Sequence, residues 1–265
     1  MQETPASDGG AHERVRFVME TPELYGSDEV QAYVQREIER PSKAWVREVV
    51  ESTRETEFVK LRTAEFVLLP DLNGHRRPPP RHPHPWPRPR LEERPLSAPA
   101  ARRAFHRPPA PAPAPAPPPA PSHHAARRFN WLAIVADPGL RSVRDLRGEH
   151  LPMLERLYRQ CVQAIQREYR VGSGDVMVFA NYPPSVYKLH FHFCAPFFQP
   201  TAYDAFRMHS LSSIISNLQV HPDYYMLSTF QVPVHSNSDL YRAVVAGGGR
   251  AADSSGSSSS PSEGE

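Results

Sequence analysis

Cysteine is nearly absent from this chain of 265 residues, which has only Cys161 and Cys194. One lies in a helical pattern and the other just after a strand pattern. Both are expected to be buried free thiols in a reducing compartment, which leaves no disulfide framework to staple a fold. Long apolar runs are missing too. No stretch approaches the roughly 20 residues of a membrane span, and the N-terminus carries no apolar signal segment. A soluble intracellular protein is the expectation. Net charge is only +2, but it is unevenly placed. Residues 76–128 carry 11 arginines against Glu92 and Glu93, a net +9, so the remainder carries −7. A basic arm on an acidic body can touch RNA nonspecifically, although a solvated Arg-rich linker is the simpler reading.

Proline is what the chain has in excess. More than half of its 31 prolines fall between positions 78 and 121. Such a segment cannot supply backbone donors or bury apolar surface, so 76–128 is expected to be disordered or polyproline-II. The Ser/Gly-rich tail 247–265 and the polar N-terminus 1–16 are expected to be disordered as well. Two parts of one domain remain, 17–75 and 129–246, together about 180 residues.

Within those parts, 28–50 reads as helical, with Trp45, Val46, Val49 and Val50 as an apolar stripe and Pro41 near a helix start. Short β-type runs follow at 57–61 and 64–70. A buried strand is expected at 129–135. Leu151, Leu154, Leu157, Cys161, Val162 and Ile165 recur at helical spacing and mark a helix ending near Tyr169. A strand at 176–180, a helix at 202–218, a strand at 226–232 and a short terminal helix complete an α+β domain built on an antiparallel hairpin.

The most informative stretch is 181–193. Tyr187, Leu189, Phe191 and Phe193 alternate with Lys188, His190 and His192, the period of a half-buried strand. Its polar side chains would stand ~6.6 Å apart on one face, a span a phosphate chain can cover. A neutral His190 could attack phosphorus. Lys188 and His192 would then stabilise developing charge, with Ser185 donating to a phosphate oxygen. A solvated polar face, or a His pair binding zinc, is the bland alternative.

Context favours the chemistry. Trp45 through Glu55, Phe66 through Leu72, Leu140 through Leu146 with Gly148 through Pro152, and Tyr182-Pro-Pro-Ser185 leading into His190-Phe-His192 resemble the scavenger mRNA-decapping enzymes of the histidine-triad superfamily. The resemblance covers about 17–75 and 129–245. It implies a histidine-triad α+β domain that hydrolyses the methylguanosine cap on short RNA remnants or cap dinucleotide, releasing N7-methyl-GMP. It places His190 as nucleophile, with His192 and Ser185 on phosphate. Trp45 would stack on the methylated base, Glu55 and Asp71 would line the cap pocket, and Asn181 stands where a further histidine usually sits. Methylated guanine is cationic, so an indole face gains a cation–π attraction of about 1–2 kcal/mol. A carboxylate such as Glu55 can accept from the guanine N1–H and N2–H pair.

The same resemblance implies a homodimer in cytoplasm and nucleus, with no cofactor or metal. It also exposes departures. Lys188 replaces the first triad histidine, Asn73 a lysine, and Val186 an aromatic hydroxyl. A cation at Lys188 is expected to keep His190 neutral. The family's swapped N-terminal domain has no counterpart before the linker-like 14–25, so weaker substrate binding is expected. The rival readings are a cap- or nucleotide-binding protein without turnover, a general dinucleoside polyphosphate hydrolase, and a zinc-binding structural module.

Overall fold

The computed structural model describes residues 14–54, 56–71, 129–196 and 200–249. Glu55, Asn73, the 76–128 segment and most of the terminal segments therefore lie outside the described residues.

Alternating or continuous β-branched and aromatic runs pair into a six-stranded antiparallel sheet of order β2-β3-β4-β6-β5-β7. Its strands are β2 (Leu61–Arg62), β3 (Phe66–Pro70), β4 (Asn130–Val135), β5 (Met177–Asn181), β6 (His190–Cys194) and β7 (Met208–Ser210). β3 and β4 are buried almost throughout, because both faces of the sheet are covered there. On one face Phe66, Leu68, Trp131, Ala133, Phe191 and Phe193 join the main core with α4 (Leu151–Tyr169). On the other, Val67, Leu69, Leu132 and Ile134 pack with Val46 and Val49 of α3 (Trp45–Val50). The fold is α+β and histidine-triad-like.

Three of the differences from the sequence expectation have identifiable causes. The helix expected over 28–50 is two helices, α2 (Asp28–Glu39) and α3, separated by a 3-10 turn at Pro41–Lys43. Pro41 has no N–H to donate and pushes Arg40 out of helical geometry, to ψ 120°. The single helix expected over 202–218 is α5 (Ala202–Arg207) and α6 (Leu211–Val220), with β7 between them pairing on β5. Ser210 ends that strand and caps α6, its hydroxyl accepting from the Ser213 N–H.

The third difference is at the front. The linker expected at 14–25 holds a strand, β1 (Val15–Glu20), and a one-turn helix, α1 (Pro22–Tyr25). β1 runs antiparallel to β8 (Phe230–His235) as a separate ribbon, from Val15 opposite His235 to Glu20 opposite Phe230. Partners more than 200 residues apart in the chain leave no local signal. A short α7 (Tyr224–Leu227) precedes β8, and α8 (Asp239–Ala246) packs back on α2.

One buried charge ties the ribbon to the sheet. The Arg144 side chain is 3% exposed and donates from Nη2 to Glu20 Oε1 at 2.7 Å and to the Glu20 carbonyl at 2.9 Å. Its Nη1 donates to the Tyr225 carbonyl at 3.1 Å, and its guanidinium lies 4.0 Å from the Phe230 ring centre. The Tyr182 hydroxyl donates to the same Glu20 oxygen. Burial pushes the Glu20 carboxyl above its usual range, against the opposing pull of Arg144 and Tyr182.

A buried charge stripped of its partner is costly, whereas replacing both partners by apolar groups is often neutral. Arg144→Met is expected to destabilise by about 3–5 kcal/mol in urea unfolding. Adding Glu20→Leu should recover most of that loss. A double variant no more stable than the single one would contradict this account.

Candidate active site

The register of β6 lays out the site. His190, His192 and Cys194 stand opposite Ile134, Leu132 and Asn130 of β4, while Phe191 and Phe193 face the main core. The two histidines therefore share the sheet face that α3 covers. Trp45 and Val186 pack against the apolar cluster on that same face. The indole is half-buried and the Ser185 residue exposed.

The His190 Nδ1 lies 2.7 Å from the Lys188 carbonyl. A carbonyl only accepts, so Nδ1 carries the proton and Nε2 keeps its lone pair. Burial pulls the His190 imidazole below its ordinary value; the Lys188 carbonyl and Asp71 oppose this, and Arg207 and Lys43 reinforce it. Both conditions favour a neutral imidazole with a free Nε2 lone pair.

His192 is also pulled down, to about 3, by burial first and then by His190 and Arg207. Its ring stacks on Phe179 at 5.0 Å, and the ring centres of His190 and His192 are 5.3 Å apart. Asn181 Nδ2 lies 3.3 Å from His192 Nε2, so the amide contacts the second histidine. Its Oδ1 is buried and has no hydrogen-bond partner among the described residues.

The turn ahead of β6 is gripped at both ends by cations. Arg207 donates from Nε and Nη2 to the Pro183 carbonyl at 3.2 and 2.7 Å. Lys43 Nζ donates to the Ser185 carbonyl. At the far end of the histidine face, the Asn130 amide donates to Asp71 Oδ2 at 2.9 Å and accepts from the Cys194 thiol at 3.1 Å. Asp71 thus ends a polar row two residues along β6 from His192. Burial raises the Cys194 thiol to about 12, with Asp71 adding to the rise, so it sits there as a protonated donor.

The structure places Lys188 outside the strand. Its N–H donates to the Val186 carbonyl at 2.9 Å, a tight bend that keeps it out of the strand, which begins only at His190. Its ammonium donates to the Ala136 and Asp137 carbonyls at 2.8 and 2.7 Å. Two nearby carbonyls satisfy a partly desolvated cation better than a lone place in the histidine row. Burial lowers the Lys188 ammonium, with Asp137 opposing. Lys188 is an anchor for the 136–137 turn, and the cations whose fields reach His190 are Arg207 and Lys43.

The structure thus brings Trp45, Asp71, Asn181, His190 and His192 to one face, with Ser185 on the turn beside it. Glu55 lies outside the described residues. Sequence reasoning missed Lys43, Asn130 and Arg207. Asn130 was legible as a polar residue opening a buried strand, while nothing local marked the other two. Among the described residues no three His, Cys, Asp or Glu side chains gather as a metal site, and no helix is long and apolar enough to cross a membrane.

Comparison with known proteins finds similarity over part of the chain. Residues 120–205 match the family model described as "Scavenger mRNA decapping enzyme C-term binding". Over this segment the chain is similar to that family. The m7GpppX diphosphatase of Bos taurus is 36% identical over 109 residues, 41% of this chain and 32% of the relative. That of Homo sapiens is 35% identical over 111 residues, 42% of this chain and 33% of the relative. That of Ascaris suum is 31% identical over 110 residues, 42% and 36% of the two chains. The matched stretch spans about a third of the length of these curated relatives.

The depressed histidine in this domain gives a stability test. A group whose folded value lies below its free value favours the fold while neutral. His192 should therefore contribute fully above about pH 6.5, losing that contribution as pH falls towards about 3. His192→Gln is expected to take up about one proton fewer on unfolding near pH 5, read from the pH slope of urea-unfolding free energies. An unchanged slope would show that His192 is not buried neutral.

Proposed function

We propose that this protein hydrolyses the N7-methylguanosine cap of short capped RNA remnants or cap dinucleotide. The observation that carries the reading is the bond from His190 Nδ1–H to the Lys188 carbonyl, which leaves Nε2 as a free lone pair in a desolvated position. In the step proposed, Nε2 forms a bond to the phosphorus next to the methylated nucleoside. The phosphoanhydride bond on its far side breaks, and the leaving diphosphate takes the electron pair. Water then cleaves the phosphorus–nitrogen bond, releasing N7-methyl-GMP and freeing His190 for the next cycle.

The other groups have roles consistent with their positions. Trp45 offers a half-buried aromatic face to a cationic base. Asp71, held by Asn130, is a fixed acceptor at the end of the same face. His192 is neutral, so it serves as a hydrogen-bonding group on phosphate and not as a charge. No step calls for a metal or cofactor, because the imidazole is the nucleophile. The homodimeric state and residence in cytoplasm and nucleus belong to the same proposal and rest on the family resemblance alone.

Incubation with cap dinucleotide and its unmethylated analogue, followed by product separation, tests the reading. N7-methyl-GMP from the methylated substrate only is expected. Tight binding without product would replace hydrolysis by a binding role, and equal turnover of both analogues would indicate a general dinucleoside polyphosphate hydrolase. His190→Asn should lower turnover at least about a hundredfold with the fold intact; smaller losses would rule out His190 as nucleophile.

A further inference from the structure

The site has a charge problem. Its substrate would be a polyphosphate, yet His190 and His192 are both held towards the neutral form and the Lys188 ammonium is turned onto two carbonyls. Positive charge must come from elsewhere in the fold. Arg207 and Lys43 are cations whose fields lower His190. Arg207 spends two N–H groups on the Pro183 carbonyl, and Asp204 lies 3.5 Å from its Nη1.

Lys43 is less committed. One of its three N–H groups goes to the Ser185 carbonyl. Its neighbouring carboxylate, Glu37, is 4.0 Å away and is itself held by Arg40 at 2.6 Å. The lysine side chain is 24% exposed, so the ammonium is accessible yet partly shielded from water. Its place in the chain matters as well. Lys43 ends the 3-10 turn caused by Pro41, two residues before Trp45. One short segment therefore presents an aromatic face and an ammonium, and the ammonium touches the turn that leads into the nucleophile's strand.

We propose that Lys43 is a phosphate-binding residue of this site, bridging the Ser185 turn and the substrate phosphates and supplying charge that Lys188 and Asn181 do not. The inference rests on the proposed function, since it assumes a base on Trp45 and a phosphorus at His190. It adds a residue from the first part of the domain to a phosphate site otherwise drawn from the 181–192 stretch.

Binding to the full chain tests it, with N7-methyl-GDP and N7-methylguanosine as probes for wild type, Lys43→Met and Lys43→Arg. Wild type should bind the diphosphate more tightly than the nucleoside. Lys43→Met should weaken N7-methyl-GDP about ten- to a hundredfold while nucleoside affinity stays within about twofold. Lys43→Arg should retain most of the diphosphate affinity. Equal loss of both ligands in Lys43→Met would show that the lysine only shapes the turn, and unchanged affinities would remove it from the site; either result overturns the inference. GDP and guanosine separate the two readings. If wild type binds GDP as well as its methylated form, the cap assignment fails, and Lys43 is then judged by the same comparison on GDP against guanosine.

Discussion

A guanidinium buried to 3% exposure holds this fold in register. Arg144 sits at a turn of the sheet domain, yet its donors end on the β1 strand, on the carbonyl of Tyr225, and beside the hydroxyl of Tyr182. Such a charge is tolerated only where every donor finds an acceptor. Its partners are consequently fixed relative to one another. Tyr182 is the first residue of the turn that carries Ser185 and leads to His190, so the electrostatics of the ribbon set where that turn begins. Ser142 and Asp145 form a reciprocal cap around the turn that aims Arg144 inward.

The site follows a related logic at lower stakes. Packing α3 across the histidine face dries it, and drying favours neutral imidazoles. That suits a nucleophile, but it removes positive charge from a surface that would meet phosphates. The charge reappears on side chains tethered to the backbone of the Pro183–Ser185 turn, Arg207 on one carbonyl and Lys43 on another. Cations placed on the loop, and not in the histidine row, bring positive charge to this part of the fold while leaving His190 Nε2 unprotonated.

Much of this was legible in the linear chain. The α4 stripe, the buried β4 run and the alternation of His190, Phe191, His192 and Phe193 are local patterns, since a helix or strand writes its periodicity into neighbouring residues. The alternation failed at Lys188, where a bend two residues before the strand redirected the side chain, and periodicity carries no information about such a bend. β1 leaves little local signal because its partner lies at the other end of the domain and only half of its own six residues are exposed. Pro41 was seen as a helix start, but its power to end the preceding helix was not weighed.

Sequence by itself determined the fold class and named His190, Trp45 and Asp71 as candidates, because residue type and spacing suffice to state which atoms a reaction needs. Tertiary structure alone decided which of those atoms are available. It turned Lys188 onto two carbonyls, placed the proton of His190 on Nδ1, joined Asp71 to Asn130, and brought Lys43 to the Ser185 turn. Each of these depends on distances between segments far apart in the chain, and on how much water the packed helix excludes.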